Sequence, residues 1–105
     1  MATTRKSLLI TTELTRKNVL DLLDITLQDV NQVFFYGQAL VSIQNLSLGH
    51  KIQLHHWAQH AEVVGYCGSV VARYNCHDIQ LHHWQEYGLT EFYAKLHDAN
   101  SLEQF

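Results

Sequence analysis

The chain of 105 residues has no proline, five glycines and two cysteines. Without proline, and with so little glycine, it has no collagen-like or proline-rich segment. Two cysteines are too few for a disulfide scaffold. Cys67 and Cys76 lack the close spacing of a redox pair or a zinc knuckle, and an inert buried thiol is the ordinary fate of such a residue. Charge is scarce as well: 16% of residues carry it, against roughly 25% in a typical soluble domain. With 47% apolar residues the chain still has enough hydrophobic material to fold, which excludes a disordered polymer. No window of about 18 residues is free of polar groups, so no membrane span is expected. No apolar run follows the basic start, and a cytoplasmic protein without a signal peptide is expected.

The length suits one small domain. Residues 1–11 read as an amino-terminal arm or edge strand around Leu8, Leu9 and Ile10, and residues 12–105 as the globular domain. From Thr12 to at least Val30 the spacing of Leu20, Leu23, Leu27 and Val30 predicts an amphipathic helix, capped by Thr11 or Thr12. Val33–Gln44, Ile52–Trp57, Val63–Tyr74 and Ile79–Tyr87 read as strands, being rich in β-branched and aromatic residues or alternating in polarity. Gly88 stops the last of these, Thr90 caps, and Glu91–His97 reads as a short closing helix. The expected fold is α+β: one amphipathic helix, about four mostly antiparallel strands and a carboxyl-terminal helix. An all-α bundle is the alternative, because Leu54, Trp57, Ala61 and Val64 also form a helical stripe.

The formal charge is −3, and four of the seven basic residues (Arg5, Lys6, Arg16 and Lys17) crowd the amino terminus. A duplex-binding surface needs several clustered cations. Here only this arm could supply them, and it lacks interleaved aromatics, so a solvated tail is expected and nucleic acid is not an expected partner. Between Val30 and Ala61 the only charged side chain is Lys51. Interfaces are depleted in lysine and glutamate and enriched in aromatics. The reading is therefore a non-enzymatic binding or assembly protein, self-associating or joined to another protein through Phe35, Tyr36, Trp57 and Trp84. No acid, base and nucleophile set assembles: Asp21 and Asp24 solvate a helix, and Ser69 lacks the glycines of a nucleophile elbow. A small enzyme whose pocket is invisible in the sequence stays as a further alternative.

Eight residues are histidine. Ile52-Gln53-Leu54-His55-His56-Trp57 recurs as Ile79-Gln80-Leu81-His82-His83-Trp84, and His50 matches His77 at the same offset. Two copies are too few for a solenoid, and a paired element inside one core is the better picture. His55, His56, His82 and His83 are the candidate metal ligands, with His50, His60 or His77 completing the set. Imidazole-rich and carboxylate-poor, such a site suits zinc, copper or nickel. If the segment is helical, His56 and His60 share one face at i, i+4, although Tyr87 replaces the second histidine in the other copy.

Overall fold

The computed structural model describes residues 6–28, 30–68, 84–97 and 101–105. Five strands form one sheet: β1 (Lys6–Ile10), β2 (Gln32–Phe35), β3 (Val63–Cys67), β4 (Gln85–Tyr87) and β5 (Ser101–Gln104). Their order across the sheet is β4-β3-β2-β1-β5. Every neighbouring pair is parallel. The described helices are α1 (Arg16–Leu23), α2 (Gln38–Ile43), α3 (Leu48–Ala58) and α4 (Leu89–His97). The fold is thus mixed α/β, and the expected antiparallel meander gives way to a parallel sheet. The cause lies in the connections. Parallel neighbours need a crossover long enough to return the chain to the same end, and α1 returns β1 to β2 while α2 and α3 return β2 to β3.

Register assigns side chains to the two faces. Leu8, Ile10, Val33, Phe35 and Val64 share one face, while Leu9, Phe34, Gly65, Cys67 and Tyr87 share the other. On the first face Trp84 stacks on Phe35 with centroids 4.6 Å apart and planes 9° apart, and His55 of α3 leans on Trp84 at 4.9 Å. On the second, Phe92 of α4 meets Phe34 edge-on at 5.5 Å. With helices on both sides, all four residues of β2 are buried. Gly65 is what lets the second face close: a Cβ there would lie 2.6 Å from the Tyr87 ring and 3.0 Å from that of Phe34.

Several expected boundaries move. The long helix from Thr12 shrinks to α1, capped by Thr15, whose hydroxyl accepts from the Asn18 amide at 3.2 Å. Its buried positions are Val19 and Leu22, with Leu20 exposed. The helix stops because the chain must turn back to start β2 beside β1. Asn31 fixes that start: its amide donates to the Lys6 carbonyl, its Oδ1 accepts from the Lys6 amide, and its carbonyl accepts from the Val63 amide. The expected strand Val33–Gln44 breaks at Gly37, whose φ of 63° suits glycine, and continues as α2.

Ile52–Trp57 is helical, not extended, within α3. Ser47 caps this helix, and Leu54, Trp57 and Ala58 fall on its inner side at helical spacing. Val63–Tyr74 supplies β3 only as far as Cys67, and of Ile79–Tyr87 the described strand is Gln85–Tyr87. The closing helix begins at Leu89, just ahead of the expected Thr90 cap, and the Phe92 amide donates to the Gly88 carbonyl. β1 is an inner strand rather than an edge, held between β2 and β5. Among the described residues, no helix is long and apolar enough to cross a membrane.

Both tryptophans are interior, each 8% exposed. The Trp57 indole N–H donates to the Ile25 carbonyl at 2.8 Å, tying α3 to the loop after α1. Trp57→Ala and Trp84→Ala should each cost about 3–5 kcal/mol, from lost burial and the void left behind. Urea unfolding of the two variants measures this, and a loss below about 1 kcal/mol for both would contradict their placement in the core.

Candidate binding site at the carboxyl edge of the sheet

Because the strands are parallel, their carboxyl ends lie along one edge. The crossover after β2 runs over the Phe35 face, through α3, while the crossover after β4 runs over the Phe34 face, through α4. Where crossovers leave toward opposite faces, open α/β sheets bind ligands beyond the carboxyl ends of their strands. Among the described residues, β2 and β4 are followed by crossovers that leave toward opposite faces, and the candidate place is the carboxyl edge at their ends.

The residues there are mostly aromatic. Tyr36 follows β2 directly, and its ring lies on Phe92 at 5.4 Å with planes 25° apart. Tyr93 meets Tyr36 at 6.3 Å and Phe92 at 6.2 Å. Tyr87 ends β4 and reaches Phe34 at 6.4 Å. Phe92 is the buried centre of this group, Tyr36 and Tyr87 are half-buried, and Tyr93 is exposed beside Leu89. Cys67 closes β3 on the same face, fully buried. Gly68 follows it, and a Cβ at that position would meet the Glu86 side chain at 2.8 Å. The backbone after β3 therefore passes close against the Glu86 side chain of β4, whose register places it with Tyr66 on the Phe35 face.

Of the residues expected from the sequence, Tyr36 lies at this edge. Phe35, Trp57 and Trp84 lie in the interior on the opposite face. His55 packs on Trp84, whereas His56 is exposed on the outer side of α3. His82 and His83 lie outside the described residues, as does His77. Among the described residues no three His, Cys, Asp or Glu side chains converge as metal ligands. Sequence reasoning passed over Tyr87, Phe92 and Tyr93, and treated Cys67 only as an inert thiol. The available signal was punctuation: Phe34-Phe35-Tyr36-Gly37 and Val64-Gly65-Tyr66-Cys67-Gly68 are short apolar runs closed by glycine, as buried parallel strands tend to be.

A second hollow of about 520 Å³ lies between the start of α1 and the α2–α3 turn. Glu13, Arg16, Asn45 and His50 give it polar walls. Ser42 is buried at its floor, accepting from the Leu14 amide at 2.7 Å and donating to the Ala39 carbonyl at 3.0 Å. That floor joins α2 to the segment after β1.

Electrostatics at the aromatic edge favour the neutral phenols. Burial, and then the nearby Glu91 carboxylate, raise the Tyr87 pKa above its ordinary 10.0. Burial and then Glu86 do the same for Tyr66. A folded value above the unfolded one means that this stability is present below pH 10.0 and is lost as pH rises through the raised folded value. Glu91→Gln should lower the Tyr87 transition yet leave it above 10.0, since burial is the larger cause. Phenolate absorbance during an alkaline titration follows this directly, and an unchanged curve would remove Glu91 from the account.

Comparison with known proteins gives no match: no family model fits the sequence, and neither a curated protein nor a solved structure is similar to it.

Proposed function

We propose that this chain is a non-enzymatic binding and assembly protein that works as a homo-oligomer, with its charge-poor surface as the contact between copies. The observation that carries this reading is the outer side of α3. Leu48 is 73% exposed and Ile52 60%, one helical turn apart, within the stretch from Val30 to Ala61 whose only charge is Lys51. Isolated exposed apolar residues are common, but two stacked on one helix face, with Lys51 the one charge beside them, form a patch that favours cover. The aromatic edge at Tyr36, Leu89 and Tyr93 is then the place for a bound partner or ligand. Its rings offer large contact area at low entropic cost.

Sedimentation velocity at micromolar concentration tests the reading. A species larger than one chain is expected, and Leu48→Gln with Ile52→Gln should weaken it by at least about tenfold, roughly 1.4 kcal/mol. A strict monomer would sink the proposal.

One placement favours a second reading, a small thiol-dependent enzyme. Cys67 ends a central parallel strand at the position where such sheets carry their sites. In that reading its thiolate is the nucleophile and the aromatic edge shapes the substrate cavity. Native-state alkylation in a Cys76→Ser background separates the readings. Labelling much faster than global unfolding supports the enzyme, whereas labelling only on unfolding removes it.

A further inference from the structure

Along α3 and its carboxyl-terminal cap, every fourth residue of one outer row is exposed: Leu48, Ile52, His56 and His60. The two imidazoles at the end of this row are mutually arranged, with ring centroids 5.6 Å apart and planes 86° apart. Two imidazoles on one tetrahedral zinc, at metal–nitrogen distances of about 2.1 Å, place their ring centres about 5.2 Å apart. The observed separation is close to that.

The protonation pattern of His60 points the same way. Its Nδ1 lies 3.2 Å from both the His56 and the Trp57 carbonyl oxygens. A carbonyl only accepts, so Nδ1 carries the hydrogen and donates, which leaves the Nε2 lone pair pointing away from the helix. A backbone carbonyl holding the far nitrogen is the usual support of a metal-bound histidine, fixing both tautomer and ring orientation. The carboxyl end of α3 is the negative pole of the helix dipole, which favours a cation there.

Two ligands do not fill a metal's shell, and no other described His, Cys, Asp or Glu converges on this pair. We infer that His56 and His60 form one half of a transition-metal site, and that a second copy of the chain supplies the other half through the same two residues. A twofold axis sets the row against itself, so four imidazoles surround one ion. Leu48 and Ile52 on the same row are then covered by the partner. Four neutral nitrogens in tetrahedral array suit zinc first among borderline divalent ions. The inference rests on self-association through α3 and adds the ion that bridges it.

Sedimentation velocity and calorimetric titration with Zn²⁺ alone, on the untagged full chain, test both parts. The expected result is one zinc per two chains, with self-association at least about tenfold tighter in zinc than in EDTA. His56→Gln and His60→Gln are surface changes that leave the core intact, and each should lower zinc affinity by about tenfold or more. Zinc bound one per chain with unchanged mass overturns the inference, as does affinity indifferent to both variants. Association that is equally tight in EDTA and zinc overturns the bridge while leaving the homo-oligomer standing. A monomer under both conditions overturns the two together.

Discussion

Burial of β2 on both faces is the constraint on which the rest depends. Its side chains alternate, yet Gln32, Val33, Phe34 and Phe35 are all hidden, so neither face of the sheet can be left to water. One layer of helices would cover Val33 and Phe35 and strand Phe34. The chain therefore sends its first crossovers over one side and its last over the other, and β5 arrives at the far side of β1. The crossovers after β2 and β4 thereby leave the carboxyl edge toward opposite faces, the arrangement at which open α/β sheets bind ligands. The aromatic group around Phe92 sits there for the same reason that β2 is buried.

The sequence showed where apolar runs lie, but not how they pair. Val33–Phe35 and Val63–Cys67 are extended, as their β-branched and aromatic content suggests. The failure was at Ile52–Trp57, where alternation over six residues imitates a strand. Once α3 is read as a strand, β2 and β3 lack a crossover and an antiparallel arrangement looks natural. The competing stripe of Leu54 and Trp57 was visible, and tertiary burial decided in its favour. Positions at the functional edge were harder still. Tyr36 was noticed as an aromatic, but Phe92 and Tyr93 gain meaning only when α4 lies over Phe34. Cys67 gains it only when β3 is known to end there.

The duplicated hexapeptide has a modest structural correlate. Trp57 sits in a helix and anchors through its indole N–H, whereas Trp84 precedes a strand and anchors by stacking. The same residue is thus buried by two different means. The copies also touch, since His55 of the first leans on Trp84 of the second. Of the second copy only Trp84 lies within the described residues, and it joins His55 of the first in one core layer on the Phe35 face. It also divides the histidines: His55 faces inward, and its neighbour His56 stands clear on the outer row.

Asn31 fastens the sheet at the start of three strands. One residue bonds the Lys6 amide and carbonyl and receives the Val63 amide, so the amino ends of β1, β2 and β3 are fastened at a single point. The carboxyl ends are tied separately: the Tyr36 amide donates to the Ile10 carbonyl and the Thr11 amide to the Phe105 carbonyl, with Gly37 and Gly88 in the turns after β2 and β4. The rings of Tyr36 and Tyr93 therefore stand on a frame in which β1 and β2 are held together at either end.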